Sequence, residues 1–167
     1  MNKKFLLLLF FVTISLNVTS SEKYPTLNNI LLSDNIFIEH KTINKINNKN
    51  TASTGTMARL GSEVKIIMTS PLNESYTLYE TYINYCDDDF NECYIIDDPQ
   101  IINNPFFYIL KNGLTKDADI NSYLIFDRDI EPSAGSIKIN LINDKSLVLT
   151  YVDSLGVINK IKLRDNS

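Results

Sequence analysis

The side chains able to do acid–base, metal or nucleophilic chemistry are few and scattered. The single histidine, His40, stands in Glu39-His40-Lys41 on a strand-like stretch. A lone exposed strand histidine is far more often bland than catalytic. Acidic residues cluster in Asp87-Asp88-Asp89, Asp97-Asp98 and Asp127-Arg128-Asp129. The first run lacks the glycine and the distal glutamate of a calcium loop, and reads as a solvated hairpin tip. The other two read as strand ends. Carboxylates paired for hydrolysis meet in space rather than in sequence, and no spacing here marks such a pair. There is no glycine-rich phosphate loop and no nucleophile elbow. A secreted enzyme on a β scaffold would need closely paired carboxylates in a buried polar cleft. The expectation is a binding protein, not an enzyme, with no cofactor and no metal.

Two other residue classes carry more. Cys86 and Cys93 flank the six residues Asp87-Asp88-Asp89-Phe90-Asn91-Glu92. Opposite positions on two strands of a hairpin lie within bridging distance, so a disulfide is expected over two free thiols; a zinc site would need more ligands than one remote histidine supplies. Nine Tyr and eight Phe, without any Trp, form the second class. Tyr79, Tyr82 and Tyr85 fall within strand-like segments, where aromatics ordinarily pack in the core or across strands. Any role in binding would need the whole constellation.

The elements that position these residues are mostly strands. Leu27, Ile30 and Leu31 within Pro25 to Ser33 have helical spacing. Strands are expected over 35–43, with Phe37 on one face and Ile36 and Ile38 on the other, then over 55–60, 63–69, 75–79, 82–86, 92–96, 121–127, 136–142, 147–153 and 157–163. Turn-forming residues separate them at Pro132-Ser133-Ala134-Gly135, Asn143-Asp144-Lys145 and Asp153-Ser154-Leu155-Gly156. The polar tract from Asn44 to Ser53 reads as a mobile hairpin loop. About ten strands in an antiparallel meander curl strongly, because strand twist accumulates. One segment departs from this pattern: Asn104 as N-cap, Pro105 at the first helical position and Gly113 as terminator bracket a short helix crowded with Phe106, Phe107, Ile109 and Leu110. Such a helix is too short to stand alone, and the concave face of the curled sheet is the surface it would lie on.

The chain opens with Asn2-Lys3-Lys4, an apolar run from Phe5 to Leu16, and small residues at Val18-Thr19-Ser20-Ser21. This is the pattern of a secretory signal peptide over 1–20, too short for a membrane-spanning helix, which leaves one domain over 21–167. With Lys3 and Lys4 removed, 14 Lys and Arg face 20 Asp and Glu. That balance argues against nucleic acid, which requires a positive surface, and against unaided docking on anionic lipid.

Three stretches resemble the periplasmic outer-membrane lipoprotein carrier proteins, the LolA type. Ser53-Thr54-Gly55-Thr56-Met57 followed by Val64-Lys65-Ile66-Ile67-Met68-Thr69-Ser70-Pro71 is similar to a Ser-Gly-Thr strand, turn and strand of that family. Tyr82 to Cys93, with its Asp89-Phe90-Asn91-Glu92 tip, is similar to a family hairpin. The segment from Leu149 to Leu163 resembles the family's closing hairpin and is the most specific of the three. Asn104 to Gly113 resembles the family's lid helix. Order and spacing agree over roughly Ser53 to Asn166, and the chain is identified on this basis as a short, divergent member. The resemblance implies a mainly β fold with an α lid: an unclosed antiparallel β-barrel of about ten strands, a short N-terminal helix, and a helical lid over a space for acyl chains. It implies a monomeric periplasmic carrier, or chaperone, that takes acylated lipoproteins from an inner-membrane ABC lipoprotein-releasing transporter. It would hand them to an outer-membrane receptor. A lipid- or lipoprotein-sensing regulator or adaptor on the same half-barrel is the alternative. Acyl-binding residues expected are Phe37, Ile66, Met68, Phe106, Phe107, Ile109 and Leu110; the strand members depend on the choice of inward face. A family arginine that holds the lid corresponds to Arg59, although Met57-Ala58-Arg59-Leu60-Gly61 lacks the family's proline. Ile66 stands where the family has Trp, and Tyr79-Glu80-Thr81 replaces an Asp-Gly turn. The chain stops at Ser167 without a C-terminal segment found in some members, which implies a different receptor or direct insertion into the outer membrane.

Overall fold

A computed structural model describes residues 23–102, 104–115, 124–125, 132–133, 135–153 and 155–167. The expected leader, Asp127-Arg128-Asp129 and most of the strand expected over 121–127 lie outside the described residues. The fold is mainly β, with one unclosed sheet and short helices. Helix α1 (Lys23–Leu31) buries Leu27, Ile30 and Leu31 completely or nearly so, one turn apart on a single face as their i, i+3, i+4 spacing requires. Strands β1 (Asn35–Asn44), β2 (Lys49–Leu60), β3 (Glu63–Ser70), β4 (Glu74–Leu78), β5 (Ile83–Asp87) and β6 (Glu92–Ile96) follow. A single helical turn, α2 (Pro99–Ile102), leads to helix α3 (Pro105–Asn112). The chain then forms β7 (Leu124–Ile125), β8 (Ile137–Asn143), β9 (Ser146–Val152) and β10 (Ile158–Asp165).

The sheet order is β6-β5-β4-β3-β2-β1-β10-β9-β8-β7. Nine strands pair antiparallel as two meanders joined where β1 meets β10. The two-residue β7 differs from expectation: it pairs parallel to β8, whereas a hairpin would have made the two antiparallel. Cysteines 86 and 93 stand directly opposite each other on β5 and β6 and are disulfide-bonded.

Asn44 to Ser53 is not a loop. The pairing of β1 with β2 continues to Asn44↔Lys49, and only Lys45 to Asn48 turn. Asn44 Oδ1 accepts from the backbone N–H of Ile46 and Asn47, and Asn47 Oδ1 from that of Lys49. Polar side chains here satisfy turn amides, and the ladder runs on although this end of the hairpin is exposed on both faces. Similar asparagine and aspartate chemistry closes the β8–β9 and β9–β10 hairpins, with Asn143 Oδ1 on the Lys145 amide and Asp153 Oδ1 on the Leu155 and Val157 amides.

Both helices pack on one face of the sheet. The period of two along each strand places Ile36 and Ile38, Met57, Val64, Ile66 and Met68, Leu78, Leu147 and Leu149, and Ile161 and Leu163 on that face, all buried. The opposite face carries cations: Lys162 pairs with Glu39 at 3.1 Å, and the Arg164 guanidinium lies over the Phe37 ring at 4.9 Å. Gly55 lies opposite Met68, beside a register shift; a Cβ there would stand 2.2 Å from the Ile67 carbonyl oxygen, so only glycine permits β2 and β3 to approach so closely.

Candidate functional site

Helix α3 begins as its sequence dictates. Asn104 Oδ1 accepts the Phe106 amide at 2.9 Å, Pro105 occupies the first turn, and the Gly113 N–H closes on the Ile109 carbonyl at 2.8 Å with φ +69°. Asn28 of α1 anchors the exit, donating through Nδ2 to the Leu114 carbonyl at 2.9 Å and accepting the Leu114 amide at 2.7 Å. A Cβ on Gly113 would meet Asn28 Oδ1 at 2.7 Å, so this position requires glycine both for its left-handed backbone and for space.

Between α3 and the sheet lies a cavity of about 470 Å³. Phe106, Phe107 and Leu110 face it from the helix, Ile66, Met68 and Tyr76 from β3 and β4, Ala52 and Ser53 from β2, and Ile38, Ile161, Leu163 and Tyr151 from β1, β10 and β9. Six adjacent strands, spaced roughly 4.8 Å apart, thus share one hollow with a helix of eight residues. Phe106 reaches Tyr151 at a ring separation of 4.7 Å while the same helix packs against β3, which requires the sheet to curl around it. Polar groups sit at the margin. Tyr76 Oη donates to Glu74 Oε2 at 2.8 Å, and burial, reinforced by that carboxylate, pushes the phenol well above its usual pKa. The His40 ring is 3.0 Å from Asn159 Oδ1. A second hollow of about 480 Å³ lies on the other side of Phe107, with Tyr79, Glu80, Tyr108 and Lys111 in its wall.

Arg59, on the helix-bearing face of β2, ties the helices to the sheet. Its guanidinium donates through Nη1 to the Lys111 carbonyl at 2.9 Å and through Nη2 to the Leu110 carbonyl at 2.6 Å and the Leu31 carbonyl. These carbonyls belong to the last turns of α3 and α1, where backbone oxygens lack intrahelical partners and the helix dipole favours a cation. Burial lowers the Arg59 pKa, partly offset by Asp34. Its buried Nε has no hydrogen-bond partner among the described residues.

The sequence-derived residues divide clearly. Ile66, Met68, Phe106, Phe107 and Leu110 meet around one cavity. Ile109 is fully buried but belongs to the core beneath α3, not to the cavity wall. Phe37 is a correction: it lies on the opposite face beneath Arg164, and its neighbour Ile38 faces the cavity. Alternation permits either face for a strand with apolar residues of both parities, and the pairing of β1 selects the one opposite to that expected. Ile38, Tyr76, Tyr151, Ile161 and Leu163 were missed, though the same alternation marks them once Ile66 and Met68 define the inward side. Among the described residues no cluster of three or more His, Cys, Asp or Glu could hold a metal ion. No protein-family model matches this sequence, and no curated protein matches it.

Proposed function

We propose that this chain is an exported periplasmic carrier of acylated lipoproteins, with α3 as a helical lid on an incomplete antiparallel barrel. The apolar cavity enclosed by α3 and the curled sheet is the observation that carries this reading. Its volume falls within the roughly 300–1,000 Å³ typical of small-molecule sites, and its walls are mainly aliphatic and aromatic. Each buried methylene contributes ~0.8 kcal/mol, so acyl chains need such a shelter to cross water. Release needs a wall that re-covers itself. A lid that rests on the apolar sheet when empty exchanges one apolar contact for another, so loading and unloading stay close in free energy. The Arg59 bonds to α3 carbonyls suit this role, since they hold the helix by backbone groups and leave its apolar side chains free to meet cargo. In this reading an inner-membrane ABC transporter supplies the lipoprotein, and an outer-membrane receptor or the membrane itself accepts it.

The test is uptake of a triacylated lipopeptide by delipidated protein. Saturable binding at micromolar concentration is expected, and Met68→Trp, which pushes a bulky ring into the cavity, should abolish it while leaving the circular dichroism spectrum intact. Absence of uptake by the wild-type protein would sink the proposal. Deletion of the gene should strand many lipoproteins in the inner membrane; a defect confined to one pathway would mark a sensing adaptor instead.

A further inference from the structure

We infer that the free edge of β6 is a docking site for an extended, basic polypeptide segment that adds to the sheet as a further strand. Among the described residues β6 pairs only with β5, so one side of its backbone offers unpaired N–H and C=O groups, the usual template for strand addition. The side chains on β6 and in the turn before it are unusually open for apolar residues: Ile95 is 68% and Tyr94 52% exposed on the strand, and Phe90 74% in the turn.

The character of the occupant follows from charge and from the two faces of the strand. Between Lys65 and Lys111 the sequence contains no Lys, Arg or His, yet it holds eight of the 20 Asp and Glu. The remaining chain carries all 16 Lys and Arg against the other 12 acids, so the acidity is concentrated at the β4–β6 end. Glu92 and Tyr94 point to the helix-bearing side. There Tyr94 stacks on Tyr85 at 6.3 Å, and Tyr85 lies 5.1 Å from Tyr76. This aromatic row runs outward from the cavity and ends open at the edge, with the Tyr94 hydroxyl bonded to Glu92 and Tyr76 to Glu74. A cation on an incoming strand would meet a ring face and a carboxylate together. Residues 93 and 95 face the other way, and Ile95 there suits an apolar partner. The matching segment alternates cationic and apolar residues. A second copy of this chain is disfavoured, because pairing two β6 edges would oppose like charges.

This site is independent of acyl binding and is tested separately from it, on the full mature chain. The probe is a fluorescent eight-residue peptide alternating Lys and Val, followed by anisotropy. Three results are expected: binding that weakens as salt rises, loss of binding when alternate peptide amides are N-methylated, and about tenfold weaker binding to the exposed-surface variant Asp88→Lys/Asp97→Lys. Equal binding of a Glu/Val peptide, or of the N-methylated peptide, would overturn the assignment. So would a dimer in sedimentation equilibrium that Ile95→Lys abolishes, since the edge would then be a self-interface. The salt, Glu/Val and N-methylation results are read on the wild-type protein, so the assignment can be overturned without any variant.

Discussion

Arg59 does more than any other single side chain to organise the helices, because one guanidinium serves the C-terminal carbonyls of both α1 and α3. A planar fork presents donors on separate nitrogens in a fixed geometry, whereas an ammonium gathers its three donors on one nitrogen at the end of a flexible stem and spans the two helices less well. Arg59→Lys should therefore destabilise the protein by about 1–3 kcal/mol in urea titrations. It should also accelerate hydrogen exchange of α3 amides more than those of β9. Equal acceleration in both would mean that Arg59 supports the core generally and not the seating of α3. Two strands away, at the same strand end on β10, hydrogen bonds from Ser167 and Ser33 hold the Asp165 carboxylate at a pKa of about 2, against ~3.9 for a free aspartate. A carboxylate with a depressed folded-state pKa favours folding wherever it is ionised. The contribution is thus present above about pH 4 and is lost as pH falls towards 2. It is small, because the carboxylate stays in contact with water, which screens its interactions. Asp165→Asn should flatten the stability profile within that window and leave its slope above pH 5 unchanged.

At the level of elements, α3 is eight residues long, below the length at which helices persist alone. It depends on its cap, on Asn28 and Arg59, and on burial of Phe106, Ile109 and Leu110. Asn104→Ala should cost about 1 kcal/mol, read as a lower urea midpoint with an unchanged slope. No loss of stability would mean that tertiary contacts alone set the helix start. The β5–β6 hairpin is fastened differently. Its disulfide closes a loop with a sequence separation of only seven, so by chain entropy Cys86→Ser/Cys93→Ser should lower stability by about 2.5 kcal/mol. If the hairpin is held mainly by its Tyr76–Tyr85–Tyr94 row, the loss will be smaller and Tyr85→Ala will exceed it.

Across the whole molecule, a curled sheet buries one face against two helices and leaves a hollow beneath α3. A ligand that occupies this hollow only in the folded state stabilises the protein by mass action. At a hundredfold excess over Kd the gain is about 2.7 kcal/mol, visible as a higher melting temperature. With a triacylated lipopeptide the wild-type protein should show this rise and Met68→Trp should not. A rise of the same size in both would place the lipid elsewhere. Cations lie on the outer face of β1 and β10 and acids at the β4–β6 end, so the sheet also presents two distinct electrostatic surfaces to partners.

Strand positions, the N-cap and proline of α3, the glycine that ends it, and the pairing of Cys86 with Cys93 were legible in the residues, because each rests on local geometry: alternation, turn chemistry, helix-end hydrogen bonding. So were Ile66, Met68, Phe106, Phe107 and Leu110 as a group. The inward face of β1 was not, because Phe37 and Ile38 are both apolar and only pairing with β2 and β10 chooses between them. Nor was the continuation of the β1–β2 ladder through a polar tract, since backbone pairing can extend beyond the side chains that form the core. The parallel placement of β7, the α1 carbonyl that Arg59 reaches beside those of α3 and the size of the hollow arise from long-range packing. A cavity is the space left between surfaces brought together from six strands and a helix, and no segment of the chain encodes it alone.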